Sequence, residues 1–273
     1  MSFSRSKCQL VSISFNVMIA RMNYNQAPSI TVSNLNIRYH EHLLFNQFDF
    51  YLPANKWTCL LGPSGVGKTS VLRFIAGLKY DGDTECSGDI IASDSQPLHG
   101  RLAYITQQDS LLPWLDILDN VLLGFYLRSE KITEQLQQSV IVLLERAGLK
   151  NVSKKKPSQL SHGMRQRVVL IRSLVEDRQV ILMDEPFSSL DIITRFKLQN
   201  LAAELLVNRT VLLVTHDPLE ALRLGECIYI LSGSPAKISN IIKPCGMIPR
   251  DSSDITLLEE QARLLKMLAG ISQ

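Results

Sequence analysis

No stretch of this sequence holds the roughly twenty consecutive apolar residues that a helix needs to cross a bilayer, so the chain supplies no membrane span by its own hydropathy. Cysteine is sparse and dispersed. Cys8, Cys59, Cys86, Cys227 and Cys245 form no C-x-x-C pair, which argues against a zinc or dithiol centre and reads as reduced, cytosolic thiols. A strong charge of one sign is missing too: 29 Lys and Arg stand against 26 Asp and Glu, a net +3. Arg5, Lys7 and Arg21 lie in the first 21 residues, which hold no acid; removing that local 3 leaves the body near neutral. No basic stripe marks nucleic acid as a partner. Repeats and low-complexity tracts are also absent, and 273 residues at 45% hydrophobic and 20% charged support one large or two ordinary globular domains.

The opening segment imitates a signal peptide, because Arg5 and Lys7 precede the apolar stretch 10–20, but Ser12, Ser14 and Asn16 interrupt it. Residues 1–23 are read as a disordered leader, or as a stretch ahead of a true start at Met18 or Met22. Beyond them, short runs rich in β-branched residues at 57–61, 180–183 and 211–215 suit buried parallel strands. Segments 69–78, 133–147, 164–175 and 194–207 carry a 3.6-residue apolar period without internal proline, as helices do. The class is α/β. Residues 110–157 contain leucine-rich helical patterns and no strand-like run, so a helical subdomain over about 108–165 is expected to interrupt a core spanning 24–242. Residues 243–273 read as a loop followed by an amphipathic helix over 255–268.

Gly62-Pro63-Ser64-Gly65-Val66-Gly67-Lys68-Thr69 satisfies G-x-x-x-x-G-K-[ST], between a strand-like run and a helix pattern. The glycines let consecutive N–H groups turn toward phosphate oxygens, and the helix that follows aims its positive end at the same charge. A polyphosphate fits. Lys68 is expected to bridge β- and γ-phosphates, Thr69 to take a place around Mg²⁺, and Ser70 to complete the loop's contacts. The run Val180 to Met183 ends in Asp184-Glu185-Pro186, carboxylates where a strand's C-terminal end meets a ligand crevice. Asp184 is assigned to Mg²⁺, and Glu185 to the water that attacks the γ-phosphate.

Leu160-Ser161-His162-Gly163-Met164-Arg165-Gln166-Arg167 resembles the signature of the ABC-transporter ATPases, Leu-Ser-Gly-Gly. Other family landmarks follow the same order: Tyr39 for the adenine-stacking aromatic, Gln107 for the Q-loop, Ser188-Ser189-Leu190-Asp191 for the D-loop, and His216 for the switch histidine. The resemblance covers about 30–231. It implies a P-loop NTPase core of the ABC type with an inserted helical subdomain, ATP and Mg²⁺ as ligands, Gln107 near the metal and water, and His216 at the γ-phosphate. It also implies that Ser161, His162 and Gly163 complete the site of an opposite subunit. Since one Walker A and one signature occur here, a second ATPase chain, a homodimer in the simplest case, is expected. His162 departs from the glycine of the family pattern; it reads either as neutral, because the phosphate-facing atoms come from its neighbours, or as a tuning change that places an imidazole near the γ-phosphate, and the first reading is preferred.

Gln107 to Leu115, followed by Asp119-Asn120-Val121 and later by Pro249-Arg250-Asp251, is similar to the importer branch that serves nitrate, sulfonate, taurine and thiamine-precursor uptake. The resemblance implies an energy-coupling subunit held peripherally on the cytoplasmic face of the inner or plasma membrane. Its partners would be an integral-membrane permease and, indirectly, an extracytoplasmic substrate-binding protein, with Trp114 near the permease. The ATPase of an exporter or lipid-transport system is the alternative, since the motor is shared. Families acting on ribosomes or DNA fuse two modules or insert long coiled coils, and neither fits this length.

Overall fold

Strand β3 (Trp57–Leu61), strand β6 (Val180–Asp184) and strand β7 (Thr210–Thr215) are buried at every position. Apolar residues on both faces are the mark of a parallel sheet covered on two sides. The computed structural model describes residues 26–80, 82–106 and 110–271; the expected leader at 1–23 and the expected Q-loop residue Gln107 lie outside the described residues. With β5 (Leu102–Ile105), β8 (Cys227–Ser232) and β9 (Lys237–Ile242), these strands form a six-stranded sheet of order β5-β6-β7-β3-β8-β9. β3 pairs in parallel with both β7 and β8, β6 pairs in parallel with β7, and β9 runs antiparallel at the edge. Register decides where the chemistry lies: Leu61 faces Thr215 and Asp184 faces Val214. The residues that follow three strands, Gly62, Glu185 and His216, therefore emerge at one level of the sheet.

A second, antiparallel sheet has the order β2-β1-β4, with β1 at Ile30–Tyr39, β2 at His42–Leu52 and β4 at Thr84–Ala92. It was not foreseen from the sequence. Ile30 and Val32 are buried, then Leu35 and Ile37; the parity changes at a bulge where Asn34 adopts φ 53° and its N–H donates to Asp49 Oδ1 at 2.8 Å. A bulge of this kind erases the two-residue period by which strands are read. Both sheets share a core with helix α1 (Lys68–Ile75), including Phe45, Phe48, Phe50, Leu60, Val71, Leu72, Leu212 and Val214.

The chain divides into two compact units. One holds residues 26–104, 178–185 and 206 onward; the other holds 105–177 and 186–205. The second is helical, with α2 (Ile117–Val121), α3 (Leu123–Leu127), α4 (Glu134–Arg146), α5 (His162–Val175) and α6 (Ile192–Leu205). Three of these helices start at side-chain caps: Asp116 accepts from Asp119 N at 2.8 Å, Thr133 from Leu136 N at 3.2 Å and Ser161 from Met164 N at 3.4 Å. The unit takes in residues 166–177 and 186–205 beyond the stretch 108–165. The first unit closes with α7 (Pro218–Leu224) and α8 (Ile255–Ile271), which pack together.

Candidate nucleotide site

The loop after β3 can close only on glycine at two places. Gly67 sits at φ 106°, and a Cβ there would stand 2.7 Å from the Phe45 ring; at Gly62 a Cβ would stand 2.6 Å from Leu231 O. The loop is thus pressed against the core while its outer side stays open, with no neighbour within 4 Å of a Cβ built on Gly65. Lys68 is buried, and its ammonium donates to Gly62 O and Pro63 O, both at 2.8 Å. Burial lowers its pKa, and the negative charges of Glu185 and Asp184 oppose that shift. A cation confined among loop carbonyls and two carboxylates is a polar site poised for anionic oxygens.

Asp184 is buried at the end of β6. Its Oδ1 accepts from Thr69 Oγ1 at 3.1 Å and its Oδ2 accepts from the Tyr104 hydroxyl at 3.4 Å. Burial raises its pKa; the Thr69 hydrogen bond works against that rise, and the Glu185 charge adds to it. Tyr104 is held protonated by burial and by the charge of Asp184, so it is a dependable donor. Glu185 follows at φ 48°, a left-handed conformation uncommon outside glycine, with its N–H donating to Val214 O at 3.0 Å. The turn swings the carboxylate out of the strand's alternation to meet His216, whose Nδ1 lies 2.9 Å from Glu185 Oε1. His216 is held in turn between β7 and the start of α7, where Asp217 caps the helix from Leu219 N at 2.9 Å. One unit therefore assembles Lys68, Thr69, Asp184, Glu185 and His216.

Tyr39 lies at the end of β1, half-buried. Its hydroxyl shares a hydrogen bond with Ser70 Oγ at 3.2 Å, and its ring meets Tyr80 edge-on at 6.2 Å between centroids. Tyr80 itself donates to Ser70 O at 2.7 Å. Two tyrosines thus brace the first turn of α1, a role that the sequence reading missed along with Tyr104. The run Leu102-Ala103-Tyr104-Ile105 is apolar throughout, so nothing in it set Tyr104 apart from a packed aromatic.

Ser161, His162 and Gly163 belong to the helical unit, where α5 begins. Ser161 and His162 are exposed, and a Cβ built on Gly163 would meet only Ser189 O, at 4.0 Å. Arg167 holds this helix start to the end of α4, donating to Gly163 O at 3.3 Å and to Ala147 O at 3.0 Å. Asp191 receives the Thr194 N–H at 3.0 Å, which lowers its pKa. Asn120, fully buried, shapes the loop before α2: it accepts from Leu112 N at 2.8 Å and donates to the carbonyls of Leu112, Leu115 and Asp116 at 3.0 to 3.2 Å. That loop presents Trp114 with 67% of its surface exposed.

The family model for the ABC transporter matches residues 45–188, a span that includes the glycine loop, Asp184, Glu185 and the α5 start. The chain belongs to the ABC transporter family. It is an ATP-binding subunit of that family and an ATPase. An uncharacterized ABC transporter ATP-binding protein of Haemophilus influenzae is 40% identical over 247 residues, 88% of this chain and 99% of that one. The aliphatic sulfonates import ATP-binding protein SsuB 2 of Burkholderia cenocepacia is 35% identical over 231 residues, 83% and 82% of the two chains. Among solved structures, a dimeric ATP-binding cassette in a post-hydrolysis state with ADP and Pi superposes with a TM-score of 0.67 at 25% identity, covering 80% of this chain and all of that one. This ABC ATPase accordingly has the mixed α/β P-loop fold of the cassettes, and among its described residues no helix is long and apolar enough to cross a membrane.

Proposed function

We propose that this ABC ATPase is the energy-coupling subunit of an importer for a small molecule of the nitrate, sulfonate, taurine or thiamine-precursor type. The juxtaposition of Lys68, Asp184, Glu185 and His216 at one sheet edge carries the ATPase part of that reading. The glycine loop and Lys68 bind the β- and γ-phosphates of ATP, Ser70 supports the loop from within, and Tyr39 lies against the adenine. Glu185 accepts a proton from water as the water oxygen bonds to the γ-phosphorus; the bond to the β–γ bridging oxygen breaks, leaving ADP and inorganic phosphate. His216, held by Glu185 through Nδ1, keeps Nε2 for a phosphate oxygen.

The oxygens of Thr69 and Asp184, 3.1 Å apart, are donors of the kind Mg²⁺ takes alongside substrate phosphates, and Gln107 is proposed as a further ligand. When bound, the ion would neutralise charge on the transferring phosphoryl group.

Ser161, His162, Gly163 and Asp191 are proposed to face the ATP of a second chain. Gly163 supports this: glycine costs a helix about 1 kcal/mol relative to alanine, and nothing in its own unit crowds the position. The partners proposed are a second copy, an integral-membrane permease seated near Trp114, and through it an extracytoplasmic binding protein, with the ATPase peripheral on the cytoplasmic face. The likeness to a sulfonate importer's ATP-binding protein supports import.

The test is a pull-down of tagged Glu185→Gln from solubilised membranes with ATP. The expected result is co-recovery of a permease that works with an extracytoplasmic binding protein for a small molecule; recovery of ribosomes or nucleic acid instead overturns the reading.

A further inference from the structure

Helix α8 buries Leu257 and Leu264 to within 3% and 1% of full cover, and these two residues dock it on its own chain. A different stripe faces outward. Ile255, Leu258, Ala262, Leu265 and Ala269 are all exposed, with Ile255 at 73%, Leu258 at 47% and Leu265 at 49%. Their spacing of three, four, three and four is that of a coiled-coil seam, and it lies about 130° around the helix from Leu257 and Leu264 at 100° per residue. An amphipathic helix that has already buried one face needs no second apolar line for its own fold.

We infer that this seam pairs antiparallel with the same helix of a second copy. Charge complementarity selects the occupant and its orientation. With Ile255, Ala262 and Ala269 as the first apolar positions of successive heptads, Glu259 and Lys266 are exposed on one flank of the seam. In the antiparallel register that places Ala262 against Leu265 of the other copy, Glu259 meets Lys266 twice, once on each side of the two-fold axis. Slipping by one heptad sets Glu259 against Glu259. A parallel pair sets Asp254 against Glu259. One arrangement satisfies both apolar packing and charge, with the small Ala262 seated opposite the large Leu265. A lipid surface fits less well, because Glu259 and Glu260 cancel Arg263 and Lys266 along the helix.

Two heptads bury far less than the roughly 1,200 Å² of a standard stable interface, so the pair is weak and reversible. It does not depend on nucleotide, which separates it from any ATP-bridged dimer. Sedimentation velocity of the full chain without nucleotide, from about 1 to about 100 µM, tests it. Wild type is expected to show a concentration-dependent dimer. Leu265→Glu and Glu259→Lys should each raise the dissociation constant at least about tenfold, and the double exchange Glu259→Lys with Lys266→Glu should restore it. Because all three side chains are exposed, thermal unfolding of each variant should match wild type, which guards against a folding artefact. A wild type that stays monomeric throughout, or a dimer indifferent to both single variants, overturns the inference. So does flotation with phosphatidylglycerol vesicles that Leu265→Glu abolishes while no dimer forms, since that assigns the seam to lipid.

Discussion

Glu185 stands in a left-handed backbone conformation that costs a non-glycine residue of order 1 kcal/mol, and the return is a carboxylate aimed at His216. Beside it, Asp184 carries a different cost. Burial raises its pKa above 3.8, so the folded chain holds that proton more tightly than the unfolded one. The sign follows from proton linkage: this contribution to stability is full at low pH and is lost as pH rises from the ordinary carboxyl value through the raised one. At neutral pH the ionised Asp184 is therefore a net burden on the nucleotide-free chain. Asp184→Asn should raise Tm by about 2–4 °C near neutral pH, a gain that disappears below the ordinary carboxyl range where Asp184 is protonated, while ATP hydrolysis falls at least ~100-fold. Calorimetry and phosphate release on the same preparation check both halves. In contrast, Gly67→Ala adds a Cβ that collides with Phe45 at a positive φ. It should cost about 2–4 kcal/mol in urea unfolding.

At the scale of elements, legibility in the sequence tracked how far local pattern and burial coincide. The strand runs 57–61 and 180–183 were legible because every residue is buried, and the glycine motif stood between one of them and a helix. Sheet β2-β1-β4 was not legible, since the bulge at Asn34 and the left-handed Gln47 break the alternation of β1 and β2. Strand β4 carries almost no apolar face to betray it, with six of its nine residues exposed. In the site, Lys68, Thr69, Asp184 and His216 were readable from motif and resemblance. Tyr104 and Tyr80 were not, because a tyrosine that braces a carboxylate or a helix turn looks in sequence like any other packed aromatic. Asn120 teaches the same lesson, its value lying in four hydrogen bonds to a loop. Asn120→Ala should destabilise the chain by about 2–4 kcal/mol and shift the fluorescence of Trp114. At the start of α5, His162 is exposed at the first helical position. His162→Gly should leave the ATPase rate within about tenfold, or ~1.4 kcal/mol, of wild type, as steady-state phosphate release will show.

Across the molecule, the buried Arg250 helps tie the C-terminal segment to the unit that holds the glycine loop. Arg250 donates to the carbonyls of Leu222, Gly225, Pro244 and Cys245 at 2.7 to 2.8 Å, and its own carbonyl accepts from Arg223 Nε at 2.9 Å. It fastens residues 244–250 to the end of α7, the helix whose other end follows His216. Removing it strands four carbonyls, so Arg250→Ala should cost about 3 kcal/mol and open the segment after Ile242 to protease. The same architecture gathers Gly62, Glu185 and His216, groups proposed to handle ATP, from three strands that end at one level. Hydrolysis itself is assigned to a single carboxylate, and the most direct measurement is ATP binding and turnover by Glu185→Gln beside Lys68→Ala. The account predicts that Glu185→Gln binds ATP as wild type does and hydrolyses it ~10²–10⁴-fold more slowly, whereas Lys68→Ala loses binding. Turnover by ATP-loaded Glu185→Gln at the wild-type rate would contradict it.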